Sequence, residues 1–150
     1  MAKNIAVLDV GLGNVGSICN MLRHLQIDFV RTDQPDVLVP GTNVILPGVG
    51  SFDSGMEALD SANLIRPLRT ALAHGNINLL GICLGMQLLF SKSEEGTSRG
   101  LELIPGRVKR FQVTDATVKV PHMGWNVVEL SPNSSLFNGL SNEQRFYFVH

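Results

Sequence analysis

The residues best able to do chemistry in this 150-residue sequence surround Cys83. Gly81 and Gly85 flank it two positions away on either side, between an apolar run and a helical pattern. This is the cysteine form of the Gly-x-Ser-x-Gly nucleophile elbow. Neighbours without side chains let the backbone bend sharply and present the nucleophile outward. A helix starting after the bend aims its N-terminal N–H groups at the thiol, which favours thiolate. The N–H of Leu84 is then placed to receive negative charge from a carbonyl under attack. The competing reading is a buried core thiol, a common state for free cysteine. That reading suits Cys19, within an amphipathic helical pattern; the two glycines weigh against it for Cys83.

A second segment, Leu46-Pro47-Gly48-Val49-Gly50-Ser51-Phe52, follows an apolar strand at its C-terminal end. Sites form on that side of a parallel sheet. The N–H of Val49 is the candidate for a second oxyanion donor, and the glycines around it ease rotation of its peptide plane. Taken alone, the segment is equally an ordinary glycine turn before a helix capped by Ser51. A third segment, Gly11-Leu12-Gly13-Asn14-Val15-Gly16, fits the dinucleotide fingerprint, with Asp33 at a distance suited to a ribose contact. A dinucleotide-binding domain using Gly11, Gly13, Gly16 and Asp33 is therefore an alternative, although it leaves the cysteine elbow unexplained.

The elements that must position these residues alternate. Strands are expected at Ile5 to Leu8, Phe29-Val30, Val44 to Leu46 and Ile77 to Ile82. Helices are expected at Val15 to Leu25, Phe52 to Ala62, Ile65 to His74 and Leu84 to Phe90, with Gly75 as a stop. On the first helix, Val15, Ile18, Leu22 and Leu25 share a face. Such alternation implies an α/β fold, a mostly parallel sheet with helices on both faces. Beyond about residue 100 helices give way to expected strands at 108–113, 118–120 and 127–130, a smaller antiparallel extension, with a turn at Pro132-Asn133-Ser134.

Composition narrows the function. The chain is 44% hydrophobic and 17% charged, with a formal net charge of -1. One sizeable core, hence a single domain over residues 1–150, is the default. A near-neutral chain lacks the concentrated basic surface that nucleic acid or anionic membrane requires, and no apolar run reaches a membrane-spanning length. Two cysteines and no secretory leader pattern point to a cytoplasmic protein with reduced thiols.

Four segments together carry a family resemblance: Asp9 to Asn14, Pro47 to Phe52, Gly81 to Gln87, and Val120-Pro121-His122-Met123-Gly124-Trp125-Asn126. They resemble the class I, triad-type glutamine amidotransferases, and within them the glutaminase subunits of imidazole glycerol phosphate synthase. The resemblance implies a flavodoxin-like fold, no cofactor and no metal. It implies hydrolysis of glutamine to glutamate and ammonia through a Cys83 thioester. The ammonia would pass to a cyclase subunit, the heterodimer partner, in histidine biosynthesis. Val49 and Leu84 match the oxyanion amides, and Gly50, Gln87 and Glu95 match positions that hold glutamine. Asn14, Trp125 and Tyr147 match positions near the cyclase interface. Without the resemblance, Gln87 and Glu95 would be solvated residues and Trp125 a core or interface aromatic.

One departure stands out. A thiol nucleophile needs a base, which the family carries in a C-terminal His-x-Glu pair, and none occurs here. His24 and His74 suit helix C-termini, and His122 belongs to the interface-side motif. The expectation is an amidotransferase domain incomplete at its C-terminus and inactive as a 150-residue chain. A non-catalytic, amidotransferase-like interaction protein is the other reading of the missing pair.

Overall fold

The structure, a computed structural model, describes residues 5–114, 118–131, 134–140 and 143–150. The chain forms two compact units that meet in sequence at Arg110 and Phe111. In the first, four parallel strands take the order β2-β1-β3-β4: β1 Ile5–Leu8, β2 Val30–Thr32, β3 Thr42–Gly48 and β4 Ile77–Cys83. Between them lie α1 Val15–His24, α2 Phe52–Ser61 and α3 Ile65–Ala73, and a single turn, α4 Leu84–Gln87, follows β4.

Helices cover both faces, as the alternation requires. Val7 packs with Val15, Cys19 and Leu22 of α1 on one side. Leu8, Val44 and Leu46 pack with α2, α3 and the α4 turn on the other. Side chains alternate across a strand, so neighbours such as Val7 and Leu8 serve opposite cores. Leu25 departs from the expected stripe: it is the C-cap of α1 and is 57% exposed, while Cys19 takes the buried place. The helix stops follow chemistry legible in the chain. Gln26, Asn63 and Gly75 adopt left-handed φ of 56°, 55° and 66°. The following amides of Ile27, Leu64 and Asn76 reach back to Leu22, Leu59 and Ala71, the bond that closes a Schellman motif.

Three further expectations are corrected. The helix expected from Leu84 to Phe90 ends at Gln87. The carbonyls of Leu88, Leu89 and Phe90 accept from Leu101, Leu103 and Glu102 rather than from a further helical turn. Residues 108–113 form no strand; Val108 makes one isolated parallel bridge to Ser93. Residues 118–120 are likewise outside any strand.

The second unit is an antiparallel ribbon of β5 Met123–Glu129 and β6 Glu143–Val149. His122 and His150 extend it by exchanging backbone bonds of 2.7 and 3.0 Å. Pro132 and Asn133 of the expected turn lie outside the described residues.

Candidate active site

The site begins with the backbone at Cys83, which has φ 54° and ψ -118°. For a residue with a side chain this is a sparsely populated conformation, costing on the order of 1–3 kcal/mol. It turns strand β4 directly into α4 and leaves Cys83 exposed, whereas Cys19 is buried.

The flanking glycines explain how the bend is packed. A Cβ on Gly85 would overlap the Leu46 carbonyl oxygen and lie 2.8 Å from its carbon. One on Gly81 would meet the Met86 Cα at 2.5 Å and N at 2.6 Å. Both obstacles are backbone, so neither can swing aside. Only glycine lets α4 start this close to β3 and fold back over β4. Gly48 completes the arrangement, since a Cβ there would sit 3.0 Å from the Gly85 N and from Leu84 Cβ.

Gly48 is the register partner of Cys83 across β3 and β4. Adjacent strands lie about 4.8 Å apart, so the turn that carries Val49 starts beside Cys83. Val49 and Gly50 are exposed, and Gly50 has φ +124°, a conformation that disfavours any side chain. Leu84 opens α4, where helix geometry leaves the first N–H groups without intrahelical acceptors. Gln87 closes α4, half-buried. Ser51 caps α2, its hydroxyl accepting from the Ser54 N–H at 3.2 Å.

Glu95 is drawn to this place by a bond the sequence does not announce. Its Oε2 accepts from the N–H of Phe52, the first residue of α2, at 3.1 Å. Asp53 binds the same loop in the other direction. It accepts from the Ser98 N–H at 2.8 Å and the Thr97 N–H at 3.0 Å. The Ser98 and Thr97 amides hold its carboxyl below the usual carboxylate value. Sequence reasoning missed Asp53. The available signal was an acid in the first turn of a helix, where it complements the dipole.

Asn14 is the N-cap of α1, its side chain accepting from the Ser17 N–H at 3.1 Å. Its neighbour Gly13, at φ +92°, lies against the Val49 turn; a Cβ there would be 3.1 Å from Val49 N and 3.4 Å from the Gly48 carbonyl carbon. This disfavours the dinucleotide alternative, because the glycine that should leave room for a pyrophosphate faces another loop of the protein. Gly11, Gly16 and Asp33 then have simpler roles: a positive-φ turn, a helix residue in open surroundings, and an exposed carboxylate bonded to Gln34 Nε2 at 2.6 Å. The β1 and β3 loops meet here because the strand order reverses between them, the crevice position in open α/β sheets.

Trp125 and Tyr147 belong to the second unit. They are register partners with ring centroids 5.7 Å apart, edge to face, and are 64% and 56% exposed. Met123, Val127 and Val149 project on the same side of the ribbon and are also exposed. A separate cavity of about 600 Å³ is lined by Arg69, Leu79, Leu89 and Leu101 among others and includes none of the expected site residues.

Comparison with known proteins gives the family. The family model "Glutamine amidotransferase class-I" matches residues 6–150. The chain belongs to this family. The amidotransferase is 46% identical over 146 residues to imidazole glycerol phosphate synthase subunit HisH 2 of Methanococcus maripaludis, covering 97% of this chain and 72% of that one. It is 45% identical over 147 residues to the HisH subunit of Synechococcus elongatus, covering 97% and 67% respectively. A solved structure described as "Crystal structure of glutamine amidotransferase" superposes with a TM-score of 0.71 at 18% identity, over 97% of this chain and 70% of that one. That likeness shows the flavodoxin-like amidotransferase fold.

Proposed function

We propose that the amidotransferase hydrolyses glutamine at Cys83 and delivers ammonia to a cyclase subunit that makes imidazole glycerol phosphate. The observation that carries this reading is the exposed Cys83 at its strained bend, beside the Gly48–Val49 turn. The sulfur attacks the side-chain carboxamide carbon and a C–S bond forms. Negative charge moves to the carboxamide oxygen, where the amides of Val49 and Leu84 receive it. The C–N bond then breaks, ammonia leaves with the proton from the thiol, and water hydrolyses the γ-glutamyl thioester. Gly50, Gln87 and Glu95 hold the amino acid, Glu95 through its negative charge.

The proton must be carried by a base. In the first unit His24 lies in the last turn of α1, and the ring of His74 is 2.8 Å from the Thr70 carbonyl. Neither is assigned this role, and no His-x-Glu occurs in the 150 residues. The family match runs through both units, which supports reading them as parts of one amidotransferase domain. Asn14, and on the ribbon Trp125 and Tyr147, are proposed to face the cyclase. An exposed apolar ribbon face with two large aromatics suits a protein partner. Among the described residues no helix is long and apolar enough to cross a membrane. A cytoplasmic setting, with both thiols reduced, fits the reaction.

Calorimetric titration of glutamine into the Cys83→Ala protein tests substrate recognition without turnover. Saturable binding weakened by Glu95→Gln is expected, with no heat from NAD. Absence of glutamine binding, or micromolar NAD binding, would overturn the reading.

A further inference from the structure

The loop from Ser93 to Ser98 and the first turn of α2 exchange carboxylates. Glu95 reaches from the loop to the helix, accepting from Phe52 N–H. Asp53, one residue further along the helix, reaches back. Its oxygens accept from the Thr97 and Ser98 amides and from the Thr97 hydroxyl at 3.3 Å. Gly96 lies between the two links. A Cβ there would overlap Asp53 Oδ1 and come within 2.7 Å of Asp53 Cγ. The loop is also fixed from the other side: Glu95 N–H donates to Ser93 Oγ at 3.1 Å, and Glu94 N–H to the Val108 carbonyl at 3.0 Å.

The consequence is geometric. Phe52 continues the same backbone as Val49, Gly50 and Ser51, so whatever ties Glu95 to α2 also sets it relative to the oxyanion turn. A single bond from Phe52 N–H to an exposed glutamate would leave that side chain many rotamers. Asp53 limits that freedom by gathering the Thr97 and Ser98 amides, two and three residues beyond Glu95, and so fixing the loop backbone that carries it. Charge-assisted bonds from backbone N–H groups to a carboxylate are the strong kind, and here they act in parallel.

We propose that Asp53 is a positioning residue for glutamine: by drawing in the Thr97 and Ser98 amides it holds the Glu95 carboxylate at the start of α2, beside Val49 and Gly50, and so sets substrate affinity without touching substrate. With Oε2 committed to Phe52, Oε1 is the oxygen that receives the ammonium of the amino acid. The inference rests on the proposed glutamine site at Cys83 and Glu95.

The test is inactivation of the protein by a chloroketone analogue of glutamine, followed as adduct formation on Cys83 at rising analogue concentration. Iodoacetamide, which needs the thiol alone, is the reference reagent. For Asp53→Asn and for Gly96→Ala, the half-saturating analogue concentration is expected to rise about tenfold. The limiting rate and the iodoacetamide rate stay within about twofold of the unsubstituted protein. Two variants are used, and thermal melting identifies which of them is folded. Unchanged half-saturation in the folded variants would overturn the inference while leaving the glutamine site standing. A limiting rate that falls in step with the iodoacetamide rate would also overturn it, since Asp53 would then act on the elbow. Analogue labelling that never saturates in the unsubstituted protein would overturn the glutamine site itself, and the inference with it.

Discussion

Replacing Gly85 by alanine adds one methyl group, and the structure says where it would go. The new Cβ overlaps the carbonyl oxygen of Leu46 and lies 2.8 Å from the carbonyl carbon. Leu46 is central in β3, which is paired on both sides, with β1 and β4. That backbone cannot retreat without breaking a ladder, so α4 must lift away. Overpacking of this kind costs about 1–3 kcal/mol, occasionally more; with backbone as the obstacle, about 3 kcal/mol is the expected loss. At 150 residues, each kcal/mol moves the melting temperature by roughly 2–4 °C, so Tm should fall by about 6–12 °C. Gly16→Ala is the matched control. Gly16 lies in the first turn of α1, where a Cβ meets only Asn14 Oδ1 at an ordinary 3.5 Å. Alanine there should gain up to about 0.5–1 kcal/mol from helix propensity, raising Tm by roughly 1–4 °C. Thermal unfolding followed by circular dichroism measures both. Melting temperatures for the two variants within about 2 °C of each other would refute the close packing from which the elbow is argued.

The other expectations are equally direct. A water-soluble thiol reagent should modify one cysteine of the folded protein, Cys83, and two in denaturant, because Cys19 is 1% exposed; peptide mapping reads the site. The carboxyls of Asp53, through the Ser98 and Thr97 amides, and Glu102, through the Arg99 hydrogen bond, lie below their ordinary values. Their contribution to stability is therefore present above pH 4–5 and is lost as pH falls through the lowered values. The urea midpoint should be steady from neutrality to about pH 5 and drop below about 4, with a shallower acid slope in Asp53→Asn. Trp125→Ala should weaken binding to the cyclase subunit by roughly 10-fold or more, as loss of an exposed aromatic anchor does, with iodoacetamide labelling of Cys83 unchanged; isothermal titration with the cyclase decides it. The 150-residue chain, lacking His-x-Glu, should show no steady glutaminase turnover with the cyclase present, and turnover abolished by Cys83→Ala would show that another group serves as base.

Much of this architecture is written locally in the chain. Strands β1, β3 and β4 and helices α1 to α3 follow from apolar runs alternating with helical periodicity, because each element buries its own face. The bend at Cys83 is legible for a related reason: Gly81 and Gly85 mark close backbone approach before any partner is known. What escaped notice depends on residues distant in sequence. The short α4 ends as the Leu89 and Phe90 amides shift to the carbonyls of Met86 and Gln87, while residues 101–104 take the carbonyls of Leu88 to Phe90. The strand expected over 108–113 fails because Val108 pairs with the loop around Lys92 to Glu94. Asp53 meets its partners 44 and 45 residues away, and nothing near it in sequence signals that loop. Glu95 shows the same limit: its spacing suggests only solvent, whereas its bond to Phe52 puts it at the start of α2, next to the Val49–Ser51 turn.

The central claim is tested most directly by locating where an electrophilic glutamine analogue becomes attached. Mass spectrometry of proteolytic peptides should place a single adduct on Cys83, with its formation suppressed by excess glutamine and unaffected by NAD. An adduct on Cys19, or labelling of Cys83 that glutamine does not slow, would contradict the account.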